Sequence, residues 1–283
     1  MTPLVVGVVL FAAVTHAGWN AITHRITDEL ACLSLVGAGR TLCGAVLACL
    51  APLPAPAAWP YLIASVLIHI AYQVALMRSF RLGDFGQVYP IARGVAPLLV
   101  TLFAVFALGE HLDGASAAGV AIVMTGIVGL ALWGVRDRTS RPSGPAVAMA
   151  STTGVMIAAY TVVDGVGVRE AGAALGYTAW LMLLDGLAIP AYAAATQRAA
   201  LVARLRPVLV PGLVGGVLSV LSYGLVLWAQ TRAPLAPVAV LREFSVIAGA
   251  AIAAFLFKER FGGPRIAAAI LMVTGIALML GTT

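Results

Sequence analysis

Long apolar runs, each about twenty residues in length, follow one another along this chain and are separated by short polar or turn-rich segments. A helix of about twenty apolar residues crosses the hydrocarbon layer of a bilayer. Hydrophobic residues make up 61% of the 283 residues and charged residues only 10%, whereas a soluble domain carries about a quarter charged residues. The sequence therefore predicts an all-α polytopic membrane protein that has the lipid bilayer as its solvent.

Ten transmembrane helices are predicted from these runs. They cover roughly residues 3–22, 31–51, 59–78, 86–108, 115–134, 146–166, 175–196, 208–229, 236–256 and 264–281. The segment "PLPAPAAWP" separates the second and third spans. The most polar linker, "RDRTSRPSGP" at residues 136–145, lies near the middle of the chain, so the two flanking halves are similar in length.

The two halves also repeat each other in sequence. At an offset of 149 residues, Arg93 aligns with Arg242, and residues 125–127 align with residues 274–276, both Thr-Gly-Ile. Each half holds five predicted spans, and an odd number of spans makes the second copy insert upside down relative to the first. Inverted repeats of this kind build many secondary transporters, with the substrate site near the middle of the bilayer. We therefore predict two inverted five-helix repeats, residues 1–135 and 146–283.

Several of these segments resemble a known family. They are "YPIARGVAPLL", "LGEHL" and "MTGIVGLAL" in the first half, "LREFSVIAGA", "FKERF" and "VTGIALML" in the second half, and "HAGWNAITHR" in the first span. In them the chain is similar to EamA-type members of the drug/metabolite transporter superfamily. The Gly109-Glu110 signature is complete in the first half and reads Lys258-Glu259 in the second. The resemblance implies transport of small organic metabolites, often the export of amino acids or related compounds, without an ATPase domain.

Polar and aromatic side chains inside the spans are the candidates for a substrate site, because a polar group in a span is costly unless it faces protein or a water-filled cavity. The candidate substrate-binding residues are His16, Trp19, Asn20, Tyr72, Gln73, Tyr89, Arg93, Tyr160, Asp164, Trp180, Tyr223, Arg242 and Glu243. His69 shares a helix face with Tyr72 and Gln73. The alternative role for such residues is hydrogen bonding between helices.

Three of these candidates define the expected character of the substrate. Arg93 and Arg242 are related by the repeat, and a planar guanidinium suits a carboxylate or phosphate because it binds two oxygens at once. Glu243 either neutralises Arg242 or receives the ammonium of a zwitterion. Prolines on both sides of Arg93 predict an interrupted helix there. The alternative is an interhelical salt bridge that holds the two halves together.

Two further ionisable groups need a role inside the membrane. Arg40 and Asp185 lie at similar depth in the second and seventh spans, which are counterparts in the repeat, and we predict that they form an intramembrane charge pair. The alternative is that each reaches the headgroups separately. Asp164 faces the cavity or pairs with Arg169. His16 is a candidate carrier of a coupling proton, since the pKa of an imidazole lies near neutrality.

Other features indicate structural roles. Glu110 and Glu259 end their spans just before turns, and we expect them to terminate helices and position short loops. Glycine and alanine spacing in the fifth and tenth spans, as in "GVAIVMTGIVG", favours close approach of helix backbones.

The distribution of basic residues predicts an orientation. The loops after the first, third, fifth, seventh and ninth spans carry twelve basic residues, Arg25, Arg78, Arg81, Arg136, Arg138, Arg141, Arg198, Arg204, Arg206, Lys258, Arg260 and Arg265. The opposite side carries Arg169 and Arg232. The positive-inside rule then places both termini outside, whereas the family resemblance implies cytoplasmic termini, so the orientation stays open.

The function that fits these patterns is a carrier, an exporter by resemblance, of small polar metabolites such as amino acids and related carboxylate or zwitterionic compounds. It would work by alternating access without ATP, since no GxxxxGK[ST] motif occurs. The alternative is a non-transporting structural or sensory membrane subunit. A membrane-embedded enzyme is disfavoured, because HExxH, paired acids at metal spacing and a nucleophile triad are all absent from the sequence.

The expected surroundings follow from the same reading. We predict an integral protein of a bacterial inner membrane, present as a monomer or homodimer, with a small-molecule substrate and a proton as candidate coupling ion. The net charge of +6 comes from basic residues scattered at the ends of apolar runs, which favours contact with lipid headgroups and argues against nucleic acid. No cofactor and no metal ion are expected.

Overall fold

The computed structural model describes residues 1–24, 26–82, 85–136, 143–257 and 263–281. All regular structure in these ranges is helical. The α-helices are α1 (Pro3–His24), α2 (Glu29–Leu50), α3 (Trp59–Leu82), α4 (Phe85–Phe106), α5 (Gly114–Arg136), α6 (Gly144–Glu170), α7 (Ala174–Leu205), α8 (Leu209–Gln230), α9 (Leu235–Arg242), α10 (Phe244–Phe257) and α11 (Gly263–Leu280). Short 3₁₀ turns at Pro56–Ala58 and Arg206–Val208 precede α3 and α8.

Most of these helices can cross a bilayer. Within the described ranges, seven helical stretches are long and apolar enough for a full crossing, and three shorter apolar helices run over Ile91–Phe106, Gly114–Leu130 and Ile266–Leu280. The chain is therefore an all-helical integral membrane protein. The ninth predicted span, 236–256, is divided at Glu243 into α9 and α10, while the count of ten spans stays a prediction.

Helices α2 and α6 begin where short polar side chains accept hydrogen bonds from the first amides. Asp28 accepts from the amide of Ala31 at 3.1 Å before α2, and Ser143 accepts from the amide of Ala146 at 3.3 Å before α6. Arg204, near the end of α7, donates to Asp28 at 2.7 Å. This hydrogen bond holds the pKa of the Asp28 carboxyl below its usual value and ties the α1–α2 connection to α7.

Glycines allow the closest helix contacts. A Cβ atom at Gly186 of α7 would lie 2.6 Å from the carbonyl oxygen of Gly37 in α2. A Cβ atom at Gly275 of α11 would lie 2.5 Å from the carbonyl oxygen of Gly119 in α5. Because real Cβ atoms do not approach other atoms this closely, only glycine permits these helix pairs, and the close backbone approach predicted for the fifth and tenth spans is confirmed within the chain.

The remaining packing joins the two halves of the chain. Helix α3 packs on α6 and α1 packs on α8, while α4 packs on α6 and α1 also contacts α9 and α10. In the predicted repeat, the contact of α3 with α6 corresponds to that of α8 with α1, and the contact of α4 with α6 corresponds to that of α9 and α10 with α1. Most pairs of neighbouring helices thus have a counterpart pair. The pattern is what a two-fold relation between the halves would produce, although the inverted repeat itself stays a prediction.

Connections between helices contact one another in two separate groups. Arg204 pairs with Asp28, and the hydroxyl of Ser143 lies 3.5 Å from the carbonyl oxygen of Leu82, which links connections that follow odd-numbered predicted spans. The amide of Ala55 donates to the carbonyl of Ala171 at 3.2 Å, which links connections that follow even-numbered spans. This separation favours helices that each run from one face of the bundle to the other.

The outer surface is apolar and the interior is partly polar. Leu50, Phe106 and Val202 expose more than two thirds of their surfaces, at 76%, 82% and 71%. Several polar and charged side chains are buried instead, among them Gln73, Arg93, Asp164, Asp185, Gln230, Arg242 and Glu243. This distribution suits a protein surrounded by lipid, in which the polar groups find their partners between helices.

Candidate functional site

The break between α9 and α10 places two charged residues inside the bundle. Every residue of α9 is buried, and the chain turns at Glu243 through hydrogen bonds of the i to i+3 type, from the Glu243 amide to the Val240 carbonyl and from the Val246 amide to the Glu243 carbonyl. The side chains of Arg242 and Glu243 therefore follow a fully packed helix. They lie among α1, α4 and α8, which all contact α9.

The start of α9 is held by a residue of the other half. Glu110 accepts hydrogen bonds from the amides of Leu235 and Ala236, at 2.6 and 3.1 Å. A carboxylate at a helix N-terminus satisfies free amides and is favoured by the helix dipole. Glu110 thus positions a neighbouring helix, in addition to lying at the end of its own, whereas its counterpart Glu259 lies outside the described residues.

Arg93 and Glu243 form an ion pair across the two halves. Arg93 Nε lies 3.3 Å from Glu243 Oε2, and the Arg93 guanidinium also donates to the hydroxyl of Ser245. Arg93 and Glu243 expose only 5% and 2% of their surfaces. The predicted interruption near Arg93 is wrong, since α4 is helical through this residue and the break lies in the second copy instead.

Arg242 is buried to a similar degree but is not held in the same way. It exposes 7% of its surface, and its Nε atom has no hydrogen-bond partner. No acid among the described residues lies within ion-pair distance of it. Glu243, His16 and Tyr223 lie farther away but within the range of electrostatic interaction with its charge. A buried, incompletely satisfied cation costs free energy unless a partner of opposite charge is supplied.

The polar face of α1 lies close to these arginines. The Trp19 indole donates to His16 Nδ1 at 3.3 Å, and the two rings meet edge to face with their centroids 5.3 Å apart. The Asn20 amide donates to the carbonyl of His16 at 2.8 Å, within the same helix. The charges of Arg93, Arg242 and Arg40 all act on the imidazole of His16. The face of α1 predicted as a cavity wall is therefore adjacent to the arginines.

A second cluster surrounds Asp164 on α6. The hydroxyls of Tyr177 and Tyr223 donate to its two carboxylate oxygens, at 2.9 and 2.5 Å. The ring of His69 stacks on that of Tyr160 at a centroid distance of 3.9 Å. Tyr72 meets Tyr160 edge to face at 5.6 Å, so the aromatic candidates of α3, α6 and α8 lie together.

Arg40 and Asp185 are brought together by the closely packed helices α2 and α7. Arg40 Nη1 lies 3.0 Å from Asp185 Oδ2, and Arg40 Nε donates to the hydroxyl of Ser219 at 2.9 Å. Gln73 donates to the second carboxylate oxygen of Asp185 at 2.7 Å. The two opposite charges thus form an ion pair in which each partner makes one further hydrogen bond. Gln73 interacts with this ion pair.

Other candidates fall elsewhere. Trp180 packs edge to face on Trp59, with ring centroids 5.3 Å apart, in an apolar cluster. Arg169 does not pair with Asp164: it donates to the carbonyls of Gln230 and Ala233 and lies 3.7 Å from Glu110. The side chain of Tyr89 lies outside the described part of the chain.

Residues that the sequence analysis missed complete the Asp164 cluster and the two ion pairs. Tyr177 holds Asp164, Ser65 contacts His69, Ser219 holds Arg40 and Ser245 holds Arg93. Serine is common in membrane helices, where it allows close packing and forms hydrogen bonds between helices, so its presence alone does not mark a site. The signal available in the sequence was that Ser65 and His69 stand four residues apart, as do Ser219 and Tyr223, so each pair shares a helix face.

Comparison with known proteins supports a transporter class. Residues 144–281 match the family model described as EamA-like transporter family, which lies in the drug/metabolite transporter superfamily. Over these residues the chain is similar to a family of membrane transporters, and the resemblance drawn from the sequence is confirmed there. A search of curated proteins found no match.

A solved structure shares the fold. It is described only as "Crystal structure of protein" and is similar to this chain with a TM-score of 0.68 at 16% identity, over 97% of this chain and 94% of that one. At this identity the likeness concerns the fold alone. The arrangement of helices described above therefore also occurs in another protein of nearly the same length.

Proposed function

We propose that this protein carries small metabolites with a carboxylate group, zwitterions among them, across the bilayer by alternating access without ATP. The observation that carries the proposal is Arg242, which is buried with an unsatisfied N–H between the two halves of the chain. A substrate carboxylate would supply the missing charge and the missing hydrogen-bond acceptor, and a guanidinium binds such a group through two parallel hydrogen bonds.

The charge around Arg242 supports an anionic group on the substrate. Arg93, Arg242 and Glu243 together carry a net charge of +1, and the single carboxylate lies at ion-pair distance from Arg93. A substrate carboxylate at Arg242 would make the group neutral. A zwitterionic substrate would in addition place its ammonium group near the carboxylate of Glu243. One oxygen of the Glu243 carboxylate would then stay paired with Arg93 and the other would accept from the ammonium group.

The position of this group supports movement of one half against the other. Arg93 belongs to the first half and Glu243, Ser245 and Arg242 to the second, so the ion pair crosses the predicted repeat boundary. An ion pair between two moving parts can open in one state and close in another. Export stays the expected direction.

Flux into proteoliposomes tests the proposal. Purified protein would be reconstituted with a panel of labelled acidic, neutral and basic amino acids, dicarboxylates, phosphonates and an uncharged sugar, with and without a pH gradient. We expect flux for at least one carboxylate-bearing class and none for the sugar. In Arg242→Met this flux should fall at least about tenfold, which corresponds to about 1.4 kcal/mol of lost binding.

The matched control is Arg204→Met, which removes a half-exposed arginine at the end of α7. It should keep wild-type flux. The proposal fails if folded wild-type protein moves no member of the panel. It also fails if Arg242→Met reduces carboxylate flux no more than Arg204→Met does.

A further inference from the structure

Asp164 lies at the centre of the bundle without a positively charged partner. It is fully buried, and both carboxylate oxygens accept hydrogen bonds from tyrosine hydroxyls, Tyr177 at 2.9 Å and Tyr223 at 2.5 Å. No arginine or lysine among the described residues lies within ion-pair distance of it. Burial disfavours the ionised form of a carboxyl group, and neutral donors offset this cost less than a positive charge does.

An imidazole lies beside this carboxyl group. The His69 ring meets the Tyr223 ring edge to face at a centroid distance of 5.7 Å, and the Tyr223 hydroxyl donates to Asp164. His69 Nδ1 lies 2.9 Å from the Ser65 carbonyl oxygen and 3.1 Å from the Ser65 hydroxyl. His69 exposes only 6% of its surface and is held by its stacking on Tyr160.

The remaining groups that face Asp164 are mostly neutral. Away from the helix ends, the titratable side chains on the elements around it include His69 and Tyr72 of α3, Tyr160 of α6, Tyr177 and Asp185 of α7, Tyr223 of α8, Arg93 of α4, and Arg242 and Glu243 of α9 and the turn after it. The charged members interact elsewhere, since Asp185 pairs with Arg40 and Arg93 with Glu243. Arg242 acts on Tyr223, whose hydroxyl is bonded to Asp164.

A cavity lies at the α6–α7 turn, at one end of α6. It measures about 590 Å³ and is lined by residues of the α6–α7 turn and of the end of α8, including Val168 and Arg169. Val168 stands four residues after Asp164, on the same face of α6. The cavity lining therefore includes a residue one helical turn from Asp164.

We propose that Asp164, with His69 beside it, is a proton-binding site that couples transport to a proton gradient. The inference rests on the proposed function. One proton binds the Asp164 carboxylate from one aqueous side and leaves it to the other side, and no other bond is made or broken. A protonated carboxyl oxygen becomes a donor, so a tyrosine hydroxyl bonded to it must accept a hydrogen bond instead of donating one.

Tyr223 connects this site to the substrate site. Its hydroxyl donates to Asp164, and its helix α8 packs on α9, which ends at Arg242. When protonation of Asp164 changes this hydrogen bond, Tyr223 can reorient beside the arginine that would hold the substrate. Proton binding and carboxylate binding would therefore be coupled through one side chain on α8.

Infrared spectroscopy of the protein in lipid vesicles without substrate tests the site. As the pH is stepped, we expect a reversible change in the carbonyl stretch of a protonated carboxylic acid in the wild type. Asp164→Asn, which keeps the size and one acceptor oxygen, should lack this change. Asp185→Asn is the matched control, because it removes a buried acid that has an arginine partner, and it should keep the change.

A second variant keeps the test informative if Asp164→Asn does not fold. Tyr223→Phe removes one hydrogen bond to the carboxylate, so the protonated-acid band should persist to higher pH, by about one pH unit. An unchanged midpoint in Tyr223→Phe, a band that survives in Asp164→Asn, or no band in the wild type would each overturn the inference.

The two proposals can fail separately. The spectroscopic test contains no substrate, so the band can be present in a protein that moves no member of the metabolite panel, which would refute the proposed function alone. Carboxylate flux without the band, or flux in Asp164→Asn that a pH gradient still drives uphill, would refute the proton site alone.

Discussion

Arg93 and Arg242 align with each other when the two halves of the chain are compared at an offset of 149 residues, but their side chains have different partners in the structure. Arg93 forms an ion pair with Glu243 and donates a hydrogen bond to Ser245, whereas the Arg242 side chain forms neither an ion pair nor a hydrogen bond within the described part of the chain. Both are more than nine-tenths buried. The difference between them therefore lies in their partners and not in their access to water.

The sequence around the two arginines explains this asymmetry. At the offset of 149 residues, Glu243 aligns with Gly94 and Ser245 aligns with Ala96. If the halves are related by the predicted two-fold axis, the positions that would hold Arg242 carry a glycine and an alanine. Each of the two aligned segments carries one arginine, and only the second segment carries Glu243 and Ser245, which interact with Arg93. Arg242, which lacks such partners, is the arginine that we propose as the substrate-binding one.

The largest expected difference between the two arginines is in stability. Arg93→Met leaves Glu243 buried with only the more distant charge of Arg242, and we expect a loss of about 3 kcal/mol, because breaking a buried pair leaves an uncompensated charge. Arg242→Met removes an incompletely satisfied cation and should leave stability unchanged or raise it. Thermal unfolding of both variants in detergent measures this difference. Equal destabilisation by both would mean that Arg242 is held as firmly as Arg93.

A glutamate placed at position 94 should remove the asymmetry. Gly94→Glu would offer Arg242 a carboxylate from the chain, and we expect carboxylate flux in proteoliposomes to fall about tenfold, or about 1.4 kcal/mol, because substrate must then compete with it. A Cβ atom at Gly94 would lie 3.2 Å from Ile127 Cγ2, so Gly94→Ala serves as the control for crowding. If both variants lower flux equally, the predicted two-fold relation does not extend to this site.

The family and the membrane class could be predicted from the sequence because both depend on long apolar periodicity and on repeated motifs. The approach of Arg40 to Asp185 was also anticipated, since a charge at that depth needs a partner. The residues that would bind substrate could be named by type, but their partners could not. Whether Glu243 forms its ion pair with Arg93 or with Arg242 depends on how the helices of the two halves pack together. No local sequence pattern encodes that packing.

The helix break was predicted in the wrong copy for a related reason. Prolines next to Arg93 favoured an interruption in α4, but α4 continues through Pro97, and proline is tolerated in membrane helices where neighbouring groups satisfy the backbone. The chain breaks at Glu243, where no proline stands. Tyr177 was missed because its role depends on a contact between α7 and α6, and nothing in the local sequence of α7 marks it as a partner of Asp164.

The hydroxyl of Ser245 should matter for Arg93 and not for the substrate. Ser245→Ala removes a hydrogen-bond acceptor of Arg93, and we expect a loss of about 1 kcal/mol in stability. Carboxylate flux should stay within twofold of the wild type, about 0.4 kcal/mol. The matched control is Ser222→Ala, whose hydroxyl donates to the carbonyl of Ala12 between α8 and α1 and touches neither arginine. A fall in flux in Ser245→Ala beyond that of the control would mean that Arg93 also binds substrate.

The smallest expected effect concerns the shape of the cation at position 242. Arg242→Lys keeps the charge but replaces a planar group with five N–H donors by a compact ammonium, which cannot form two parallel hydrogen bonds to one carboxylate. We expect the apparent KM for a carried carboxylate to rise roughly threefold, about 0.7 kcal/mol, with little change in stability. A monoanion with a single exposed oxygen should be affected less than a carboxylate, because it uses only one of the two hydrogen bonds. If the lysine variant carries the carboxylate and the monoanion equally well, Arg242 acts through its charge alone. The difference between the two arginines then reflects electrostatic balance and not the planar geometry of the guanidinium group.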